Sequence, residues 1–336
     1  LYLTGASAGW TRAGNRLAIL NGDAVLLATN ALGTGVTTDI EVSNTAGTTS
    51  VFNLNGFDQG IRNLTFNNGG AAANSINNVA TGAGTLTLGG NVTYTATNNP
   101  AGSTISGNLS LGATTRTFTI NDSTNATNDL TVTAVISGTG GLTKAGAGRL
   151  VLNGNNTYSG TTTVSAGNLM ATGNANALGA GSLSIGAGTL ELINDTALNF
   201  GRNTTLTAAA NIIVGRSTSG AAVNHTLGTL TTGANALNLT TSNVSSGITD
   251  LIFGATTISG NNTFNAAADT RIVIGAMSNG GTNRAVIKSG LGDLLINGAG
   301  TWTNTGNTLT INNGAVYLGA SNALGTAVNT NIVVNN

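Results

Sequence analysis

Chemistry on a polymer by a Gly-rich β protein calls for carboxylates that converge, so the acidic residues come first. Eleven Asp and Glu are spread over 336 residues. Asp39 and Glu41 alternate onto one side of a strand-like run, and Glu191 and Asp195 lie close together. Asp122, Asp129 and Asp250 are the nearest thing to a trio, and only if distant turns of chain bring them together. Polysaccharide cleavage uses clustered Asp with Arg or Lys, often with Ca²⁺, and neither pair has a third partner nearby in sequence. Calcium-binding nonapeptides need Asp after Gly in tandem, and no tandem run occurs.

With no Cys and one His, no transition-metal ligand set is available, and His225 reads as a turn or surface residue. Serines are abundant, but no Gly-x-Ser-x-Gly elbow stands out with a plausible His partner. No catalytic, metal or cofactor-binding residue is assigned. Lys144 and Lys288 are the only lysines and hold equivalent positions. They read as turn lysines whose stems cover apolar surface; a ligand comb is the functional alternative. Tyr158, Trp302 and Trp10 form an equivalent aromatic series. It reads as a plug or cover at one corner of the fold, with stacking on sugars as the functional alternative.

The elements that position these groups are short. Gly141 to Leu169 reads GLTKAGAGRLVLNGNNTYSGTTTVSAGNL, in which alternating runs such as Leu150 to Leu152 and Thr161 to Val164 are broken by Gly or Asn-Gly. Similar runs of three to six residues, rich in Thr, Val, Ile and Leu, recur along the chain, for example Leu17 to Leu20, Thr117 to Ile120 and Arg271 to Ile274. No helix is predicted; the one stretch to consider, Ala71 to Ala80, lacks an apolar stripe at helical spacing.

The pattern repeats. Lys288 to Val316 keeps the Lys, the glycines two and four residues on, the apolar triplet and the Asn-Gly, and Leu1 to Val25 is a third copy lacking its first part. Asn30-Ala31-Leu32-Gly33-Thr34 recurs 292 residues later as Asn322-Ala323-Leu324-Gly325-Thr326, with a near match at Asn176-Ala177-Leu178-Gly179, 146 residues after the first. Repeat modules therefore lie at about 1–44, 141–187 and 288–336. The bare strand sequences Leu1-Tyr2-Leu3 and Ile332-Val333-Val334 lead us to expect a window cut from a longer tandem-repeat protein.

Gly is 50 of 336 residues, Pro 1, and aromatics 4%. That mixture suits a narrow core of Leu, Val, Ile and Ala. Eleven Lys plus Arg balance the eleven acids, so no field gathers phosphates and a nucleic-acid partner is not expected. No apolar run has the length of a membrane helix, and the strands are too short and aromatic-poor for a transmembrane barrel. These features predict an all-β repeat protein, a single continuous parallel β-solenoid over 1–336 with about 20 to 25 residues per turn. Alternate apolar residues point inward, and stacked Asn side chains tie turn to turn.

The stretch opening at Gly141 closely resembles the autotransporter-associated β-strand repeat, or passenger-associated transport repeat, of Gram-negative surface proteins. The resemblance is carried by Lys144, Gly146, Gly148, Leu150, Leu152, Gly154, Tyr158, Gly160, Val164, Gly167 and Leu169, and again by Lys288 and Trp302. It implies a right-handed parallel β-helix, export across the outer membrane and an extracellular place at the cell surface. It implies no enzyme and no cofactor. The expected function is a structural stalk, fibre or filament segment. Its partners would be neighbouring repeats, or identical copies stacked end to end or side by side. The alternative is an adhesin that binds glycans or host surfaces through exposed aromatics and loops such as Tyr94 to Gly107.

Overall fold

The computed structural model describes residues 1–4, 14–45, 47–67, 76–98, 100–326 and 330–335. Among the described residues every regular element is a β-strand. The part of Ala71 to Ala80 that is described, from Ile76, begins a strand. The strands pair in parallel with their equivalents one turn on: Leu130 lies opposite Leu150, and Asp23 opposite Val51. A turn thus takes 20 to 28 residues, a little more than expected, and the chain is a parallel β-solenoid.

Two compact units are distinguished, Leu1–Met170 with Asn176–Gly181, and Ala171–Ala175 with Ser182–Asn336. In the first, one face stacks Arg16–Leu20, Asp39–Ser43, Leu64–Asn67, Val92–Tyr94, Arg116–Ile120, Leu142–Ala145 and Thr162–Val164. Arg16–Leu20 alternates exposed and buried at every residue, the period of a half-buried strand. Leu17, Ile40, Leu64, Val92 and Phe118 therefore form one inward column. Two strands are longer than the sequence pattern suggests, Ile76–Leu88 and Ser103–Ser110. Each bends instead of breaking. The pairing slips between Ser106 and Asn108, where Gly107 takes φ +93° and a Cβ would stand 2.1 Å from Thr81 Oγ1.

The second unit has three faces. The first stacks Leu183–Ile185, Thr204–Leu206, Leu230–Thr231, Thr256–Thr257 and Met277–Ser278. The second runs from Thr189–Ile193 through Ala210–Ala221, Ala236–Ser246, Asn262–Ala266, Ala285–Ser289 and Thr308–Ile311 to Asn331–Val334. The third stacks Leu198–Asn199, His225–Thr226, Thr249–Ile252, Thr270–Ile274, Asp293–Ile296 and Val316–Leu318.

Side-chain amides join turns on the outside as the sequence predicts. Asn238 Nδ2 donates to Asn211 Oδ1 at 3.0 Å, and Asn265 Nδ2 donates to Asn238 Oδ1 at 3.0 Å. At the turns an Asx oxygen accepts the backbone N–H of the next turn, as Asn63 does from Asn91 and Asn203 from Thr229. Asn238→Ala breaks both links of the three-residue ladder and is expected to lower stability by about 1 kcal/mol in urea unfolding. An unchanged midpoint would show that the amide ladder adds nothing to the backbone pairing.

Candidate functional site

The repeat lysines stand inside the protein, contrary to the expectation of turn lysines on the surface. Both are fully buried. Leu142–Ala145 is a strand, so Lys144 falls on the same alternation as Leu142 and enters the inward column. Phe118 is its partner on one side and Val164 on the other. Lys288 is held in the same way between Phe264 and Ile311.

A buried ammonium must be paired or fully hydrogen-bonded. Lys144 Nζ donates to the carbonyls of Ala145 at 2.8 Å, Gly146 at 2.8 Å and Ala166 at 3.1 Å. Lys288 Nζ repeats the cage with Ser289 at 2.6 Å, Gly290 at 2.9 Å and Asn313 at 3.1 Å. Three N–H groups meet three acceptors, two from the lysine's own turn and one from the next. Gly146 and Gly290 share φ 77°, the left-handed conformation that aims their carbonyls inward. Burial pushes the Lys144 ammonium down to about 8, and the Asp129 charge opposes this. Burial lowers Lys288 as well, against the charge of Asp293. Lys144 remains a cation at neutral pH.

The other motif residues fill the same two turns. Leu150 and Leu152 are buried opposite Leu130 and Val132. Gly148, Gly154, Gly160 and Gly167 lie against neighbouring backbone, where a Cβ would come within 2.5 Å of it. Tyr158 is wholly buried, and its hydroxyl is 2.6 Å from Thr162 Oγ1. Thr162 donates onward to the Leu178 carbonyl at 2.9 Å, so Tyr158 is the donor of the first bond. Asn156 accepts the Ile136 N–H at 2.8 Å and donates to the Ala177 carbonyl at 2.7 Å. The recurring Asn-Ala-Leu-Gly is therefore a latch laid over the aromatic corner, with Gly179 against the Tyr158 ring. Trp302 is likewise wholly buried beside Gly325 of the later copy. Trp10 lies outside the described residues. Stacking of Tyr158 or Trp302 on sugars is thereby excluded. The expected binding loop Tyr94 to Gly107 also shrinks, because Tyr94 is a buried strand end and Ser103 begins the next strand.

Several of the acids are committed to pairs with arginines. Asp39 accepts Nε of Arg62 at 2.7 Å and the guanidinium's second nitrogen, and it also accepts from Asn63, all of which hold its carboxyl low. Glu41 pairs with Arg16, and Asp195 lies 3.7 Å from Arg216. Asp122 and Asp129 line one polar recess of about 290 Å³ with Arg149. Both Asp129 oxygens already accept backbone N–H groups at 2.7 Å, from Ser123 and Arg149. Asp250 is instead bidentate to Arg271, at 2.9 and 2.8 Å. Among the described residues no three His, Asp or Glu form a metal-binding group.

His225 is not a turn or surface residue. It is fully buried, 5.9 Å from Phe200 in an edge-on contact. Nδ1 accepts the Leu198 N–H at 3.1 Å, which leaves the proton on Nε2, 3.3 Å from the Gly215 carbonyl. Burial lowers its basicity. Parity gave a hint that composition did not: Lys144, Lys288 and His225 all fall on inward positions of their strands.

Two expectations follow. Lys144→Met strips the donors from three carbonyls and should destabilise the protein by about 2 kcal/mol in chemical unfolding. From pH 8 to 9.5 the unfolded chain keeps a proton that folded Lys144 releases, so wild-type stability rises with pH and the variant loses Lys144's share of that rise, keeping the one from Lys288. Below pH 6.5 the unfolded chain binds the proton that folded His225 refuses, so stability drops as the pH is lowered, and His225→Gln should flatten the slope. Equal slopes in wild type and variant would refute either assignment.

Residues 142–171 match the family model described as passenger-associated-transport-repeat. The chain is also 41% identical over 139 residues to the protein titled Adhesin BmaC autotransporter of Brucella suis biovar 1 (strain 1330). That match covers 40% of this chain and 4% of that protein. No solved structure gives a significant match. Through the segment that holds the Lys144 cage and the Tyr158 corner, the chain resembles the passenger-associated transport repeats of Gram-negative surface proteins.

Proposed function

We propose that this chain is a non-catalytic segment of an adhesin-type autotransporter passenger at a Gram-negative cell surface, and that its work is mechanical. It gives length and stiffness to a stalk or fibre. The observation that carries the reading is the paired lysine cage, in which each ammonium ties its own turn to the next. The aromatic corners serve the same end, since Tyr158 and Asn156 hold the following turn in place. The pairing of Asp39 with Arg62 and of Asp250 with Arg271 favours a non-catalytic role. In this reading the 292-residue period joins in series as one continuous solenoid, and its partners are neighbouring repeats.

Residues 309–336 restate 17–44, so a second period attached after Asn336 should begin at the residue equivalent to Thr45. Electron micrographs of the purified chain, and of the chain with a second copy of residues 45–336 attached, should show length growing in proportion. Neither protein should release reducing ends from polysaccharides. Compact particles of unchanged length, or polysaccharide cleavage, would rule the reading out.

A further inference from the structure

Two neighbouring strands on the second face of the second unit are much longer than those on either side of them. Ala210–Ala221 has 12 residues and Ala236–Ser246 has 11, between Thr189–Ile193 and Asn262–Ala266 of 5 each. Their extra length pairs only with itself, Gly220 opposite Val244 and Ala221 opposite Ser246, and forms a two-stranded flap with Ser217 to Ser219 and Ser245 to Ile248 exposed. The Asn243 side chain ties it together by donating to the Arg216 carbonyl at 2.9 Å. The two edges of the flap differ. On the side of the preceding turn, Asp195 accepts the Thr218 N–H at 2.9 Å and its hydroxyl at 3.0 Å, with Arg216 3.7 Å away. On the side of the following turn, pairing stops where the Ala267 N–H meets the Leu239 carbonyl at 3.0 Å and resumes where the Thr249 N–H meets the Asp269 carbonyl at 2.9 Å. Between them, from Thr241 to Gly247, no strand lies beside that edge. In its place is a recess of about 280 Å³ lined by Thr241, Val244, Ser245, Ser246, Gly247 and Asp269.

We propose that this edge takes up an extended basic peptide as an added strand. Backbone N–H and C=O groups along an uncovered strand edge are a template for another chain, and proteins ordinarily blunt such edges, as Asp195 does on the other side of the flap. Asp269 sets the charge of the occupant. It is exposed, it is the one charged residue lining the recess, and among the described residues its carboxylate has no hydrogen bond or ion pair. A lysine or arginine on the incoming strand gains that contact, and an acidic segment is repelled. Half-buried Val244 and Ile248, which is 47% exposed, supply apolar contact for the residues that alternate with the basic ones. A sugar has no row of donors and acceptors at strand spacing to match the edge. A second copy adding through the same edge would bring two Asp269 carboxylates into one joint. The inference adds a peptide partner to the mechanical role and does not depend on it.

The test follows, by fluorescence polarisation, the binding of an end-blocked octapeptide of alternating lysine and valine to the purified chain. It is compared with the same peptide carrying glutamate for lysine, and with the lysine peptide N-methylated on alternate amides in either phase. The lysine peptide should bind, the glutamate peptide should bind at least about tenfold more weakly, and one of the two N-methylated forms should lose binding. Asp269→Asn should weaken the lysine peptide about tenfold with unchanged circular dichroism, since Asn also accepts the φ of 58° found there. Hydrogen exchange on the wild-type chain needs no variant, and the peptide should slow the amides between Thr241 and Gly247. The proposal falls if the lysine peptide does not bind, if the glutamate peptide or both N-methylated forms bind as well as it does, if Asp269→Asn binds like wild type, or if these amides gain no protection. It also falls if sedimentation shows the chain alone forming a dimer that slows the same amides, which would give the edge to a second copy. The micrographs that test the mechanical role are indifferent to all of these outcomes.

Discussion

Parallel pairing of each turn with the next is the constraint on which everything else here depends. A solenoid turn has no sheet of its own to complete. Its backbone N–H and C=O groups are satisfied only by the turns before and after it, and a buried group left unpaired costs about 1–3 kcal/mol. Side chains must then repeat at matched heights. The column Leu17, Ile40, Leu64, Val92 and Phe118 shows how a small aliphatic and aromatic vocabulary does this with so few large residues.

Corners are where such a fold is weakest, because there the chain leaves the ladder and its carbonyls turn inward. The two lysines answer that problem with one group each. An ammonium at the end of a long stem passes between Phe and an aliphatic residue and gathers carbonyls from two successive turns. A metal ion would satisfy the same oxygens, but lysine brings the charge covalently. The aromatic corner works differently: Tyr158 fills volume and uses its hydroxyl to reach the next turn through Thr162. Trp302 fills the volume without an equivalent bond for its Nε1. The two copies are thus similar in shape and unequal in polarity.

Commitment of the motif residues to the interior also decides where recognition can occur. Residues that look chemically interesting in the sequence are spent on internal contacts, and the surface retains paired charges, amide ladders and a few exposed apolar groups such as Ile248 and Leu291.

The all-β class, the short strands and the equivalence of the repeat copies were legible in the sequence, because period-2 alternation and Gly or Asn at turns are local properties. The Asn-Ala-Leu-Gly recurrence marked the repeat, and the Asn ladder was foreseeable from Asn at matched positions. Tertiary structure alone decided the fate of the polar groups. Lys144 and His225 sit at positions that alternation makes inward, yet composition argues for the surface, since an isolated charge or imidazole is costly to bury. What reverses that cost lies far along the chain: Ala166 for Lys144, 22 residues on, Asn313 for Lys288, 25 residues on, and Leu198 for His225, 27 residues back. A carbonyl one turn away has no local signature, so the sequence specified which way each side chain points while only the stacked turns determined what it meets there.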